Sequence, residues 1–200
     1  QIIKEINNLI NEGHKEIILT GVDIASWNME NKKEASLGIL IEYILSEAPR
    51  LERLRLSSMD VIGFDEKLID LIANNKRILP HIHLSLQSGD NLILKRMKRR
   101  HLREDAIDLC DQLKQKRPEI SFGADLIVGF PTETEEMFQN TLDIIEECQL
   151  DWIHAFPFSP RPGTPAAKMP QNDNKLIKLR SKILRAVSYT HLTLPTKRIV

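Results

Sequence analysis

The sequence lacks the features that mark several common classes of protein. It has 28 basic and 28 acidic side chains, so its net charge points neither to a nucleic acid nor to a membrane surface as a partner. No apolar run approaches the length of a membrane span, and the first residues lack the order of a signal peptide. We therefore expect a soluble, cytoplasmic protein with no membrane partner, consisting of one domain or a large piece of one.

Cysteine is scarce and histidine is dispersed. Cys110 and Cys148 are the only cysteines, and each lies inside a helical pattern, which is typical of reduced thiols in a core. His81, His83 and His154 lie in predicted strands without the spacing or the cysteine companions of a metal site. We predict no metal ligand in this chain.

Both ends depart from the pattern of a complete domain. Gln1 falls inside a helical pattern with no N-cap before it. Segment 187–200 interrupts the last helical pattern and resembles the translation of a sequencing-library adapter. We predict that residues 1–186 are a core fragment of a longer protein and that residues 187–200 are a non-native tail.

The most informative stretch is GADLIVGFPTET, residues 123–134. The apolar run at 126–128 predicts a strand covered on both faces, and Gly129 ends it. Thr132 and Glu135 have the spacing of a capping box that opens a helix. Because ligands bind beyond the carboxyl ends of strands in α/β folds, we expect this turn to line a site.

The charge of this turn restricts the ligand. Glu133, Glu135 and Glu136 supply negative charge at the predicted helix start and would repel a phosphate. We expect the backbone of the turn to contact a neutral or cationic group, with Gly129 permitting close approach.

The rest of the chain alternates strands and helices, which predicts a parallel sheet with right-handed crossovers. Polar segments follow all the predicted strands, and this distribution favours a barrel with one mouth over an open doubly wound sheet. The predicted fold class is an α/β partial (β/α) barrel, truncated at both ends. We predict strands at 16–20, 54–57, 82–86, 126–128 and 152–156. We predict a first helix that ends at Gly13, four helices at 37–48, 66–74, 90–97 and 104–116, and one further helix after each of the last two strands.

The polar segments after the strands hold candidate ligand groups. Asp23, after Gly21, could hold an ammonium group or cap a helix or loop. Ser57 and Ser58 could bind a ligand or signal the next helix. Gln87 directly follows an apolar strand, so its amide must find a partner in a ligand or on a neighbouring strand.

Positive charge is concentrated in segment 95–103, KRMKRRHLR. Such a density suits a phosphate backbone or a ligand carboxylate. The alternative is a solvated helix face balanced by Glu104, Asp105 and Asp108. Arg161 lies among prolines in SPRPGT, either as a rigid anion-binding group or as part of a rigid connector.

Five ordered blocks cover nearly all of residues 1–186. They are EIILTGVDIASW, RLRLSSMDV, PHIHLSLQSGDNLILKRMKRRH, GADLIVGFPTETEEMF and HAFPFSPRPGTPAAKMP. Taken together, they resemble the radical S-adenosylmethionine methylthiotransferases, and most closely the group that methylthiolates threonylcarbamoyladenosine at position 37 of tRNA, at C2. The group acting on isopentenyladenosine differs at Ser85 and at residues 21–23, and the group acting on a ribosomal protein differs at Ser88.

The resemblance implies a barrel of the radical SAM type, tRNA as substrate, S-adenosylmethionine, and two 4Fe-4S clusters in the full-length protein. One cluster would cleave S-adenosylmethionine to a 5′-deoxyadenosyl radical, and the second would deliver sulfur. The reductant, the sulfur source and the oligomeric state do not follow from it.

Carried onto this chain, the resemblance places residues 21–23 at the methionine amino group and Arg99 at its carboxylate. Asp125 and residues 129–131 would approach the adenosine. The complete set for S-adenosylmethionine is Gly21, Val22, Asp23, Ser57, Ser58, Gln87, Arg99, Asp125, Gly129, Phe130 and Pro131. To RNA or the substrate we assign Lys95, Arg96, Lys98, Arg100 and Arg161.

The sequence departs from the family in its cysteines. It has no CxxxCxxC, the family's ligand set for the radical cluster, and Cys110 and Cys148 cannot replace three clustered thiolates. The family's N-terminal cysteine domain and C-terminal RNA-binding domain are also missing. We predict that this chain binds no cluster and holds no catalytic residue, and the alternative of another class is a cluster-less RNA-binding module.

Overall fold

The computed structural model describes residues 1–27 and 36–193, with the side chains of Ala25 and of residues 188–193 left aside. Within these residues the chain follows the predicted alternation of strands and helices. The strands are β1 (Glu16–Leu19), β2 (Arg53–Leu56), β3 (His81–Gln87), β4 (Ser121–Val128) and β5 (Leu150–Pro157). The α-helices are α1 (Ile2–Asn11), α2 (Leu37–Glu47), α3 (Glu66–Asn74), α4 (Asn91–Arg96), α5 (Arg103–Lys116), α6 (Glu135–Glu147) and α7 (Asn174–Thr193).

The contacts of the chain divide it into two units. Unit 1 consists of Gln1–His83 and Gln112–Ile120, and unit 2 of Leu84–Asp111 and the chain from Ser121 onward. In unit 1, β1 and β2 pair in parallel. The second sheet has the strand order β3-β4-β5, and its strands β4 and β5 are parallel. The predicted parallel pairing is confirmed, and the strands form two sheets.

Helix starts follow local capping rules, with one correction. Ser36 accepts a hydrogen bond from the Ile39 N–H and caps α2, which begins at residue 37 as predicted. The cap of α6 is Thr134, so the predicted capping box at Thr132 is wrong. Thr132 has a φ of +66°, which is incompatible with the extended backbone of an N-cap, and the helix begins only after this extra bend.

The core of unit 2 lies on one face of its strands. Leu126 and Val128 in β4 have no exposed surface, whereas Ile127 between them is half-buried. The prediction of a strand covered on both faces is therefore wrong, because only alternate side chains of β4 point into the core. The opposite face, with Asp125 and Ile127, is open to a groove.

The last helix is longer than the sequence pattern indicated. The pattern was expected to end near residue 187, but α7 continues to Thr193. Segment 171–194 contains no proline, so nothing in it breaks a helix. The assignment of residues 187–200 as a non-native tail stays a prediction. Within the described ranges, we find no helix with both the length and the apolarity needed to cross a membrane.

Candidate functional site

Two adjoining cavities lie within unit 2, beyond the carboxyl ends of β3, β4 and β5. Their volumes are about 330 and 460 Å³, which is the size of small-molecule sites. Gln87, Ile127, Thr164 and Ala166 line both of them, so the cavities are two parts of one groove. The predicted location of the site at strand ends holds for this unit.

The smaller cavity has a cationic wall. Arg96, Lys98 and Arg99 line it together with the apolar side chains of Met97 and Phe130. The Arg99 guanidinium donates to the backbone carbonyl of Ser85 at 2.7 Å, which fixes its position against β3. Among the described residues no carboxylate lines this cavity, so it suits an anionic group next to an apolar one.

The larger cavity combines aromatic rings with a carboxylate. Phe156, Phe158 and Asp125 line it, and Arg161 stands at its exposed side. Asp125 contacts the imidazole Nδ1 of His154 at 3.1 Å. Rings can contact a flat heteroaromatic group, and a carboxylate can accept hydrogen bonds from hydroxyl or amino groups. This cavity therefore suits a nucleoside.

Gln87 lies where the two cavities meet. Its φ is +71°, a left-handed conformation that is uncommon outside glycine and is often found at functional sites. Within residues 1–27 and 36–193 its side-chain amide has no hydrogen-bond partner. The alternative reading, a bond to a neighbouring strand, is therefore not observed, and the amide is available to a ligand.

The turn after β4 is stabilised by a buried ion pair. The Gly129 N–H donates to Glu133 Oε2 at 2.8 Å, and Arg180 Nη1 donates to the same carboxylate oxygen at 2.7 Å. The side chains of Glu133 and Arg180 are 0% and 3% exposed. Burial raises the pKa of the Glu133 carboxyl, while the Gly129 N–H and the Arg180 guanidinium act in the opposite direction.

This ion pair corrects the charge predicted for the turn. Glu133 points into the protein and is neutralised by Arg180, and Glu135 pairs with the same guanidinium at 2.9 Å. Glu135 and Glu136 both remain exposed acids of the first helical turn. The expectation that all three acids repel a phosphate is therefore wrong for Glu133, because a cation 47 residues away in sequence folds onto it.

The candidate ligand-binding residues of unit 1 make local contacts or are exposed. Asp23 accepts hydrogen bonds from the N–H and the hydroxyl of Ser26, so it caps a short 3-10 helix. The Ser57 N–H donates to the Leu19 carbonyl at 3.0 Å. Gly21, Val22 and Ser58 are exposed. Contact of these residues with a ligand, and the meeting of Asp23 with Gln87 and Asp125, stay predictions.

The basic segment contains both structural and accessible cations. Arg103 donates to the carbonyls of Gly89 and Asn140 at 2.8 and 2.7 Å, so it has a structural role. Lys95, Lys98 and Arg100 are exposed, whereas Arg96 is half-buried.

Two of the acids expected to balance this segment accept hydrogen bonds from neutral groups. Glu104 accepts from the Asn91 amide at 2.9 Å, and Asp105 accepts from the Leu102 N–H at 2.7 Å. Both carboxylates keep their charge in these bonds, so the alternative of a solvated, balanced face stays a prediction beside the anion-binding one.

Sequence reasoning missed several residues that line the groove, namely Met97, Ile127, Phe156, Phe158, Thr164 and Ala166. A signal for Ile127 existed, because the two-residue period of a strand places it on the same face as Asp125. Thr164 follows Arg161 in the proline-rich loop, and its hydroxyl donates to the Arg161 carbonyl at 2.8 Å.

The cysteines do not fit an iron–sulfur cluster. Cys110 and Cys148 are free and buried, as predicted for core thiols, and neither lines the groove. Two thiols at separate helices do not make the clustered set of thiolates that such a centre requires.

Comparison with known families decides the classification. Residues 1–145 match the Radical SAM superfamily. The chain belongs to this superfamily. It is 47% identical over 191 residues to the threonylcarbamoyladenosine tRNA methylthiotransferase MtaB of Rickettsia prowazekii, covering 96% of this chain and 45% of that protein. It is 37% identical to the tRNA-2-methylthio-N(6)-dimethylallyladenosine synthase of Orientia tsutsugamushi strain Boryong, covering 93% and 42%.

Solved radical SAM structures share the fold. The coproporphyrinogen III oxidase HemN of Escherichia coli superposes with a TM-score of 0.66 at 13% identity, covering 88% of this chain and 40% of that one. The radical S-adenosylmethionine methyltransferase TsrM of Kitasatospora setae gives 0.64 at 20% identity, covering 82% and 32%. The predicted family and the partial-barrel fold class are confirmed. The chain spans less than half the length of the curated relatives it matches.

Proposed function

We propose that this chain is the S-adenosylmethionine-binding core of a tRNA methylthiotransferase acting on threonylcarbamoyladenosine. The observation that carries the proposal is the groove of unit 2, in which a cationic cavity adjoins an aromatic cavity with a carboxylate. S-adenosylmethionine has the same two parts, an amino-acid carboxylate and a nucleoside. The identity of 47% to an MtaB protein supports the choice of substrate over the dimethylallyl alternative, for which a relative is 37% identical.

In this proposal the chain binds and orients the ligand. Arg99, held by the Ser85 carbonyl, pairs with the methionine carboxylate, and Arg96 and Lys98 add positive charge beside it. The Gln87 amide offers a donor and an acceptor at the junction of the two cavities.

The nucleoside part is assigned to the larger cavity. The Asp125 carboxylate accepts from ribose hydroxyls, and Phe156 and Phe158 cover the adenine ring. Phe130 lines the smaller cavity, so residues 129–131 would approach the adenosine from that side of the groove, through Phe130 and the backbone. When bound with its cluster, S-adenosylmethionine supplies the radical and methyl-transfer chemistry of the superfamily. The 4Fe-4S ligands are assigned outside this chain.

Transfer RNA is the proposed macromolecular partner. Lys95, Lys98 and Arg100 are exposed on one short segment, and Arg161 is exposed at the larger cavity. These side chains, with Arg96, would neutralise phosphates near the modified base. The cytoplasm is the compartment in which such a substrate would be met.

Calorimetric titration of this chain with S-adenosylhomocysteine tests the ligand assignment. We expect binding, and we expect Asp125→Asn and Arg96→Gln each to weaken it about tenfold, a loss of about 1.4 kcal/mol. Lys182→Gln, an exposed α7 residue outside the groove, serves as the matched control and should bind normally. Absence of binding by the wild-type chain, or equal affinity in all variants, would refute the assignment.

Titration with a tRNA anticodon stem-loop separates the enzyme core from the RNA-binding alternative. Lys95→Gln and Lys98→Gln should each reduce the salt dependence of binding by about one phosphate contact. A chain that binds this RNA but not S-adenosylhomocysteine supports the binding module. Mass spectrometry of tRNA nucleosides from cells with and without the full gene identifies the modified base.

A further inference from the structure

The turn after β4 is closed by hydrogen bonds of its own, from the Glu133 N–H to the Phe130 carbonyl at 2.9 Å and from the Gly129 N–H to Glu133 Oε2 at 2.8 Å. Thr132 has a φ of +66°, a left-handed conformation that is uncommon outside glycine. The turn places Phe130 against the smaller cavity with only 5% of that residue exposed. Another element of the fold adds contacts to this turn.

That element is the chain that follows β5. The Asn172 side-chain amide donates to the Phe130 carbonyl at 2.8 Å. Ile177 fills the space beside Gly129, where an added Cβ would lie 2.5 Å from Ile177 Cγ1. The ring of Phe158 packs edge-on against Phe130, with centroids 5.1 Å apart.

Arg180 makes the most extensive of these contacts. Its Nη1 donates to the backbone carbonyl of Glu133 at 3.1 Å and to Glu133 Oε2 at 2.7 Å, and its Nη2 donates to Glu135 at 2.9 Å. The guanidinium also lies over the Phe138 ring, 5.1 Å from its centroid. Because Glu133 Oε2 also accepts from the Gly129 N–H, the position of Arg180 determines where the turn backbone is held.

We propose that Arg180 is a positioning residue for the Gly129–Pro131 turn and thereby for the adenosine part of the ligand. The inference rests on the proposed function, since that function assigns the turn to adenosine. Arg180 is buried and lines neither cavity, so it can reach the ligand only through the residues that it holds, and of these Glu133 bonds directly to the turn. Without the guanidinium, the buried carboxylate has no counter-charge and must take up a proton or move toward water. Either change weakens its bond to Gly129.

The test compares Arg180→Gln and Arg180→Lys with Arg117→Gln. Arg117 is also a buried arginine in an ion pair, with Glu119, but its hydrogen bonds go to the Ile72 and Ile78 carbonyls. Its loss lowers stability without touching the turn, so it controls for a purely structural effect. Two readouts are measured on the 200-residue chain, namely affinity for S-adenosylhomocysteine and hydrogen exchange of the Gly129 amide without ligand.

We expect Arg180→Gln to weaken S-adenosylhomocysteine binding about tenfold through loss of preorganisation, and to increase Gly129 exchange by a similar factor. Arg180→Lys keeps a charge near Glu133 but cannot reproduce the paired contacts of the guanidinium, so it should show a smaller loss than Arg180→Gln in both readouts. Arg117→Gln should leave both values at the wild-type level. Wild-type affinity in Arg180→Gln, or an equal loss in Arg117→Gln, would overturn the proposal.

The two readouts separate this inference from the proposed function. If the wild-type chain binds no S-adenosylhomocysteine, the proposed function fails, while Gly129 exchange still reports whether Arg180 holds the turn. If Arg180→Gln does not fold, Arg180→Lys is compared with wild type by both readouts. A folded Arg180→Lys with faster exchange and weaker binding supports the proposal, and one identical to wild type in both contradicts it.

Discussion

The two turns that carry the groove, residues 87–90 after β3 and residues 129–133 after β4, have the same place in the fold and are stabilised by different chemistry. The first is held by short polar contacts to α6, since the Gly89 N–H donates to Thr141 Oγ1 at 3.1 Å and the Asn140 amide donates to Asp90 at 2.9 Å. The second has a buried ion pair with α7 at its centre, and Asn172, Ile177 and Phe158 pack around it. A set of several hydrogen bonds can lose one member at modest cost, whereas a buried charge that loses its partner is strongly destabilised.

Glu133→Ala should have the largest effect on stability. It leaves the Arg180 guanidinium buried with only backbone and Glu135 contacts, so we expect a loss of about 3–5 kcal/mol in the free energy of unfolding. Urea denaturation followed by circular dichroism measures it. The matched control is Glu136→Ala, an exposed acid at the same helix start, which should change stability by less than about 0.5 kcal/mol. Similar values for the two variants would show that the ion pair is not what holds this turn.

Gly89→Ala should have the next largest effect. An added Cβ would lie 2.2 Å from the Asn140 carbonyl oxygen and 2.8 Å from Thr141 Cα, both backbone atoms that cannot turn aside. Such overpacking typically costs about 1–3 kcal/mol, and it should also move Gln87 and weaken ligand binding.

Gly13→Ala is the control for the glycine substitution. Gly13 has a φ of +95° and nothing within 4 Å of an added Cβ, so it isolates backbone strain from steric contact. Thermal denaturation compares the two variants. A ligand affinity that falls in Gly89→Ala and not in Gly13→Ala would tie the close packing of α6 to the site, and an unchanged affinity in both would separate them.

The sequence predicted those features of the two turns that depend on neighbouring residues, and it missed those that depend on residues far along the chain. The starts of α2 and α4, near residues 37 and 90, were predicted because the caps that set them, Ser36 and Asp90, bond to N–H groups only two or three residues ahead. The role of Glu133 was not, because its partner Arg180 lies 47 residues further along the chain. From the sequence alone, a carboxylate at a helix start is predicted to be exposed, because no nearby residue indicates the distant cation that covers it.

The residues that line the groove also include some that the sequence predicted and others that it did not. Gln87 was predicted as a polar group that ends an apolar strand, whereas Asp125 was assigned only through the family resemblance, and both line the cavities. Phe158 and Thr164 come from the loop after β5, whose path is set by packing and not by a periodic pattern. Period-two reasoning applied to β4 would have found Ile127, since it shares a face with Asp125.

Thr141→Val should have the smallest effect, and it tests the turn after β3 most directly. The change keeps the shape of the side chain and removes the hydroxyl that accepts from the Gly89 N–H and contacts Ser88 Oγ at 3.3 Å. The Gly89 N–H would be left buried without that acceptor, so we expect a loss of about 1–3 kcal/mol, at the lower end because the Asn140–Asp90 bond remains. Denaturant unfolding measures the difference, with Thr20→Val, the same change at an exposed threonine, as the control. A loss as large as that of Glu133→Ala would mean that the first turn depends on a single contact as much as the second does, and the distinction between the two turns would fall.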